Sequence, residues 1–135
     1  MKFQVIYFSK KGNTKKVAEA IASELDVEAE NVKDTKLDKN ALVFLGSGCY
    51  GGKPAKLMTK FIRDNDFRSR NVALFGTSGS GEGKEVAEME RILRTKEATI
   101  KGTFFCKGKF IFFNRGRPSE DDLKGTQKFA KRMVQ

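Results

Sequence analysis

Three short glycine-rich segments contain the residues whose types and spacing suit chemistry, and the first of them suits a phosphate group. Residues 9–14 (SKKGNT) follow an apolar run and precede a helical pattern. Backbone N–H groups at a helix N-terminus, the hydroxyls of Ser9 and Thr14, and the close approach that Gly12 allows all favour phosphate binding. The alternative is a glycine turn with a threonine cap. A triphosphate-binding loop is excluded, because G-x-x-x-x-G-K-[ST] occurs nowhere in the chain.

The second segment, residues 46–54 (GSGCYGGKP), suits a flat ligand. It contains G-x-G-x-x-G, but we do not interpret it as a dinucleotide fingerprint. That motif opens the first helix directly, whereas here Pro54 begins a helix after the glycines and the segment follows the third strand. The glycines let peptide groups approach a ligand, and Tyr50 supplies a stacking face. A flexible turn is the alternative.

The third segment, residues 76–83 (GTSGSGEG), again follows a strand pattern and precedes a helical one. Its side chains are too small to pack extensively. Such a stretch is either a mobile linker or a source of backbone N–H donors for the edge of a ligand. Its position beside the other two segments favours the second interpretation.

Short apolar runs alternate with helical periodicity, which is typical of a parallel sheet covered by helices on both faces. The runs predict strands at residues 3–8, 27–32, 41–45, 72–75 and 99–105. The periodic segments predict helices at residues 14–25 and 84–97, one that Pro54 opens, and a last one that Ser119 caps. We therefore expect an α/β fold, a three-layer sandwich with five strands, forming a single domain over residues 1–135. In such sheets ligands bind at the carboxyl ends of the strands.

The composition excludes several classes of function. The chain has 135 residues, a formal net charge of +10 and no histidine. Without an imidazole there is no Ser-His-Asp triad, no Cys-His dyad and no His-containing zinc site, and we predict no metal site. Cys49 and Cys106 are too far apart for a metal pair, so reduced thiols and a cytoplasmic location are expected. The apolar runs are too short for a membrane span.

The segments YFSKKGNT, FLGSGCYGGKP and ALFGTSGSGEG, in this order and at these strand ends, resemble the flavodoxin family, specifically its short-chain members. The resemblance covers essentially the whole chain, including the closing segment GRPSEDDLKGTQKFAKRM. It implies a parallel sheet of strand order 2-1-3-4-5 and FMN as the cofactor.

The resemblance also implies a site. The first segment is implied to hold the FMN phosphate, residues 47–51 to line the ribityl chain and one ring face with Tyr50 stacked on it, and the third segment to meet the pyrimidine edge. A peptide at Gly51 or Cys49 is implied to bond flavin N5 in a reduced state. The implied cofactor-binding residues are Ser9, Lys10, Lys11, Gly12, Asn13, Thr14, Ser47, Gly48, Cys49, Tyr50, Gly51, Thr77, Ser78, Gly79 and Gly81, with no catalytic residue among them.

Two departures from the family pattern bear on function. The first segment has Lys11 where a third hydroxyl is usual, and the third segment lacks the usual aromatic residue. We therefore expect the flavin to be held less tightly and its second ring face to be more open. The resemblance implies a one-electron carrier between cytosolic redox enzymes. The open face keeps a small FMN-dependent NAD(P)H or quinone reductase, or a ribonucleotide-reductase-activating flavoprotein, as the alternative. A flavin-free binding module is a third class.

The positive charge suggests the kind of partner. Residues 1–16 and residues 99–118 each contain five basic and no acidic residues, and we expect both segments near the same edge of the sheet. A field of this sign favours acidic redox-partner proteins. Residues 104–117 interleave aromatic and cationic residues, which also suits single-stranded nucleic acid. We favour packing for these rings, because the fifth strand and last helix need a hydrophobic join.

Overall fold

The computed structural model describes residues 2–110 and 113–135, and within them five parallel strands form one sheet. The sheet has the order β2-β1-β3-β4-β5, which confirms the predicted fold and strand order. The strands are β1 (Lys2–Phe8), β2 (Ala29–Asn31), β3 (Ala41–Gly48), β4 (Asn71–Ser78) and β5 (Thr99–Lys107).

Four helices cover the two faces of the sheet. They are α1 (Asn13–Glu24), α2 (Lys56–Asp64), α3 (Lys84–Thr95) and α4 (Glu120–Met133), and a 3-10 turn (Val32–Asp34) follows β2. Val43 and Leu45 of β3 pack in the cluster that contains α2 and α3, whereas Leu42 and Phe44 pack in the cluster that contains α1 and α4. This alternation along one strand is what places apolar helices on both sides.

Three strands continue further than the sequence pattern predicted: β5 runs two residues past its predicted end at residue 105, and β3 and β4 run three residues past theirs. The apolar runs predicted ends at residues 45 and 75, but the ladder between β3 and β4 continues through Gly46, Ser47 and Gly48. A Cβ atom on Gly46 would lie 2.0 Å from the ring of Phe75, so only glycine lets the buried Phe75 ring pack there. The glycines that sequence patterns treat as strand ends therefore lie within the sheet.

The two helices whose first residues were predicted from a proline or a capping serine had different outcomes. Ser119 caps α4 as predicted, since its hydroxyl accepts a hydrogen bond from Asp122 N and the Asp122 carboxylate accepts one from Ser119 N. The prediction that Pro54 begins a helix was wrong. Helix α2 begins at Lys56, because Ala55 is extended (ψ 141°) and its N–H donates to the Ser47 hydroxyl at 2.9 Å.

Across residues 2–110 and 113–135, no helix combines the length and the apolar character that crossing a membrane requires.

Candidate functional site

The carboxyl ends of β1, β3 and β4 meet at a cavity of about 260 Å³, which we call the three-loop cavity. All three glycine-rich segments contribute to it, together with a stretch after β5. The described residues that line it include three lysines and no carboxylate. The lining residues are Ser9, Lys10, Lys11, Asn13, Thr14, Gly48, Cys49, Tyr50, Thr77, Ser78, Gly79, Gly108, Lys109 and Phe110.

The first loop, residues 9–14, turns from β1 directly into α1. Gly12 N donates to the Ser9 hydroxyl at 2.9 Å, and Gly12 has a φ of 91°, a conformation that glycine adopts without strain. The hydroxyl hydrogen of Ser9 remains available to donate to a ligand. Because the first N–H groups of α1 have no partner within the helix, the start of this helix is suited to an anion.

A buried hydrogen bond joins the first loop to the third. The hydroxyls of Thr14 and Thr77 lie 2.8 Å apart, and both residues are almost completely buried. Thr14 is in the first turn of α1 and Thr77 is near the end of β4. The bond therefore fixes the helix N-terminus against the end of a strand two positions away in the sheet.

Tyr50 lies across the end of β3 and contacts the first loop. Its hydroxyl accepts a hydrogen bond from Lys10 N at 3.1 Å, and the Lys10 Nζ atom lies 4.8 Å from the centre of its ring. A Cβ atom on Gly48 would lie 2.6 Å from the Tyr50 hydroxyl oxygen, so glycine is required beneath this side chain. Burial raises the pKa of Tyr50 above its ordinary value, and the hydroxyl stays protonated.

Sequence reasoning did not identify the fourth side of the cavity, which Gly108, Lys109 and Phe110 form. Asn13 Nδ2 donates to Lys109 O at 2.8 Å, and Gly108 N donates to Ser78 O at 2.9 Å. Phe110 lies against Gly79, with Lys11 Nζ 5.1 Å from the centre of its ring. The interleaving of aromatic and basic residues was visible in the sequence, but its contact with the first and third loops was not.

The position of Phe110 bears on the expectation of an open second ring face, which stays a prediction. Tyr50 and Phe110 both line the cavity, and each contacts a different lysine of the first loop. An aromatic residue that follows β5 thus lines the cavity, although the third loop has none. Phe110 is 51% exposed and Phe113 67% exposed, so packing, which we favoured for the rings of residues 104–117, does not bury these two. Residues 111 and 112 of that segment lie outside the described residues.

Four predicted residues do not line the cavity: Gly12, Ser47, Gly51 and Gly81. Ser47 is fully buried, where its hydroxyl accepts from Ala55 N and donates to Gly48 O. The three glycines have positive φ angles and shape the loops. Their contact with a ligand stays a prediction.

In the part of the chain that the structure describes, the two basic segments meet through their loops. Strand β1 is second in the sheet and β5 is at the far edge, with β3 and β4 between them, so the expectation of one shared edge was wrong for the strands. The loops after them join at the Asn13 to Lys109 hydrogen bond. Lys10, Lys11 and Lys109 therefore line one cavity at the carboxyl end of the sheet.

A second cavity of about 610 Å³, the adjacent cavity, shares Lys10 and Tyr50 with the first. Apolar side chains form part of its lining, and it has four basic residues and one acidic residue. The other lining residues are Phe8, Lys53, Pro54, Ala55, Lys56, Leu57, Thr59, Arg63 and Glu88.

Glu85 is a buried carboxyl group that the sequence pattern did not distinguish. It lies in the first turn of α3 with 0% exposure, and neither carboxyl oxygen has a hydrogen-bond partner in the described residues. A Cβ atom on Gly76 would lie 2.1 Å from its Oε2 atom, so Glu85 packs against the backbone of β4. Burial raises the pKa of Glu85 from 4.5 to about 7. Acidic residues are common in first turns, where they usually face solvent, so no sequence pattern distinguished this one.

Both thiols are free and protonated at neutral pH. Burial, and secondarily the charge of Glu85, raises the pKa of Cys49. Burial raises the pKa of Cys106 to about 12, with Asp122 contributing next. Since the thiolate is the reactive form, this disfavours nucleophilic chemistry at Cys49, although its side chain lines the three-loop cavity.

Comparison with known proteins identifies relatives along nearly the whole chain. A model of the flavodoxin domain matches residues 4–112. An uncharacterized protein of Methanocaldococcus jannaschii is 30% identical over 135 positions, which cover 90% of each chain. The flavodoxin-like domain-containing protein BilS of Clostridioides difficile is 33% identical over 121 positions, 81% of this chain and 67% of that protein. The structure of a flavodoxin from the domain Archaea superposes with a TM-score of 0.79 at 25% identity, covering 100% of both chains.

Glu85 is expected to make stability fall as the pH rises. Because its pKa is higher in the folded state, the folded chain binds more protons than the unfolded chain between about pH 4.5 and 7. The contribution of this group to the free energy of unfolding is present below that pH window and lost above it, and the loss is at most about 3 kcal/mol.

Urea unfolding at pH 5 and pH 8 should show this loss in the wild type and not in Glu85→Gln. Glu90→Gln, on the same helix but in a surface pair with Arg94, should behave like the wild type; equal pH slopes in all three proteins would contradict the assignment.

Proposed function

The chain belongs to the flavodoxin family, whose short-chain members share its fold, and from that premise we propose that it binds FMN and carries single electrons between cytosolic redox enzymes. The observation that carries the proposal is the convergence of the three glycine-rich loops on one cavity at the carboxyl ends of β1, β3 and β4.

The first loop fits a phosphate. Its donors are the N–H groups at the start of α1 and the hydroxyl of Ser9, and Lys10 and Lys11 add positive charge. A Cβ atom on Gly12 would have nothing within 4 Å, so the loop is open on that side. With no carboxylate in the lining, nothing there repels a dianion. The residues present therefore suit the phosphate end of FMN.

The rest of the cavity fits a flat ring. Tyr50 and Phe110 supply aromatic surfaces, and the small residues Ser78 and Gly79 leave backbone groups accessible to the polar edge of a ring. Bound FMN supplies the redox chemistry, since a flavin accepts and donates electrons singly or in pairs. The chain's own residues bind it, orient it and limit its contact with water.

The lining favours a carrier over a substrate-converting enzyme. It contains no histidine, aspartate or glutamate to move a proton to or from a substrate. The thiol of Cys49 stays protonated because burial raises its pKa. The lining residues can therefore bind a cofactor and set its electrostatic environment, and these two roles are sufficient for electron transfer.

A reductase is the second candidate, and the adjacent cavity favours it. This cavity shares Tyr50 with the three-loop cavity, and its apolar residues and excess of cations suit an anionic substrate with an aromatic body, such as NAD(P)H. A substrate bound there would lie beside the ring-binding part of the site. A quinone would use the apolar residues without the cations.

Acidic proteins are the proposed partners. Among the described residues, six basic side chains line one or both cavities and Glu88 is the one carboxylate in either lining. The six are Lys10, Lys11, Lys53, Lys56, Arg63 and Lys109. Glu88 is itself held by Arg91, which lowers its pKa. The surface through which an electron would pass is therefore strongly positive, and it should steer a negatively charged partner toward the flavin.

FMN should bind at least tenfold more tightly than riboflavin, because only FMN carries the phosphate that the first loop fits. Lys11→Gln should weaken FMN binding several-fold, an effect limited by solvent screening, and leave riboflavin binding unchanged. Flavin fluorescence quenching measures both. Lys39→Gln, an exposed lysine just before β3 at the other end of the sheet, is the matched control. Equal affinities for the two flavins would contradict the phosphate assignment.

The carrier and the reductase differ in how the loaded protein is reduced. For a carrier, stepwise reduction should accumulate an EPR signal from an unpaired electron at half reduction, and NAD(P)H should not be oxidised catalytically. Steady-state oxidation of NAD(P)H, slowed by Leu57→Asp in the adjacent cavity, would overturn the carrier in favour of the reductase.

Electron exchange with a ferredoxin of net negative charge should slow as ionic strength rises, by about tenfold or more between 20 mM and 500 mM salt. Stopped-flow absorbance measures the rate. The double variant Lys53→Gln/Lys56→Gln should show a weaker salt dependence than the wild type, and Lys39→Gln should not. A rate that salt leaves unchanged would contradict an acidic partner.

A further inference from the structure

Glu85 is unusual because it is a fully buried carboxyl group with no cation paired to it. It lies at the start of α3, and in residues 2–110 and 113–135 no lysine or arginine pairs with it and no donor forms a hydrogen bond to its oxygens. Its own backbone N–H lowers its pKa, but by less than burial raises it. The neighbouring Lys84 has a largely exposed side chain that pairs with Glu82. Burying an ionised carboxylate in this way is costly, so such a group is rarely kept without a role.

The charge of Glu85 affects the pKa values of two titratable groups on other parts of the chain. The charge of Glu85 contributes to raising the pKa of Cys49, after β3, and that of Cys106, in β5. No titratable or charged group of α2 or β4 is resolved as an influence on Glu85, whose own pKa is governed by burial. Because both thiols are neutral near pH 7, the carboxyl group is the one member of this cluster that changes charge there.

Glu85 lies directly behind the lining of the three-loop cavity. The charge of Glu85 contributes to raising the pKa of Cys49, whereas the backbone groups of Gly52 and Glu85 lower it, and Cys49 lines the cavity. Glu85 also packs against Gly76, which immediately precedes the lining residue Thr77. One layer of protein therefore separates the carboxyl group from a charge that appears in the cavity. Because that layer is protein and not solvent, the interaction between the two charges is screened less than the interactions of the exposed lysines.

We propose that Glu85 is the proton acceptor coupled to the electron that a flavin in the three-loop cavity receives, an inference that rests on the proposed function. An external one-electron donor is oxidised and the flavin is reduced by one electron. The Glu85 carboxylate takes one proton from water and forms an O–H bond, so the net charge of the protein with its cofactor does not change. Reoxidation releases the proton. The residue thus acts on the potential of the flavin without touching a substrate.

The coupling predicts a specific pH profile. Two unit charges roughly 10 Å apart in a medium of effective dielectric near 20 change an equilibrium about tenfold. Between pH 5.5 and 8.5, the ratio of the FMN affinities of the oxidised and reduced states should therefore change about tenfold more in the wild type than in Glu85→Gln. This difference corresponds to about 59 mV in the one-electron reduction potential. Potentiometric titration measures this. Glu90→Gln should match the wild type.

Infrared spectroscopy tests the same step without a variant. The reduced-minus-oxidised difference spectrum of the FMN-loaded wild type at pH 7.5 should gain the C=O band of a protonated carboxylic acid, and the band should shift in D₂O. Glu85→Gln, where it folds, should lack the band.

The outcomes separate this inference from the proposed function. If the protein does not take up FMN, both fall. If it binds FMN but the pH profiles of wild type and Glu85→Gln coincide and no carboxylic-acid band appears, Glu85 is not the acceptor and FMN binding stands. If Glu85→Gln does not fold, or if the potentiometric and infrared results disagree, the carboxylic-acid band of the wild type decides. Its presence supports Glu85 as the acceptor, and its absence excludes Glu85.

Discussion

The continuation of the β3 and β4 pairing through glycine residues is the constraint on which the site depends. Gly46 lies beside Phe75, Ser47 beside Gly76, and Gly48 beside Thr77, so the ladder runs to the ends of both strands. The absence of side chains there lets the Phe75 ring, the Tyr50 hydroxyl and the Glu85 carboxyl group pack directly against backbone. Larger residues at these positions would separate the elements that the loops join, and the cavity would lose its shape.

The site is assembled by contacts between distant parts of the chain. The Thr14 and Thr77 hydroxyls join residues 63 positions apart, and Asn13 reaches Lys109 across 96 positions. Each bond fixes the start of α1 to a different strand end. Positive charge then accumulates around the cavity because the loops of two basic segments meet there, although their strands are not neighbours. The same geometry that forms the cavity thus sets its electrostatic character.

Apolar periodicity and the glycine-rich segments were sufficient to predict the five strands, four helices and three loops. The pattern is clearest for β1, β3 and β4, because these strands are largely buried on both faces. It was insufficient where glycine or proline had a role in packing: β3 and β4 extend beyond their apolar runs, and Ala55 rather than Pro54 precedes α2. Phe110 and Lys109 could not be assigned to the cavity without the long-range contacts that bring β5 to the first loop. Glu85 could not be distinguished from an ordinary first-turn glutamate, since its burial depends on the missing side chain at Gly76.

The hydrogen bond from Lys10 to Tyr50 has a consequence for the first loop. A peptide group has a single hydrogen, and two of those in residues 10–14 are already engaged, by Tyr50 at Lys10 and by Ser9 at Gly12. The N–H groups of Lys11, Asn13 and Thr14 have no acceptor elsewhere in the described chain. An anion at this position would therefore be bound by the N–H groups of Lys11 and of the first turn of α1, and not by those of Lys10 and Gly12.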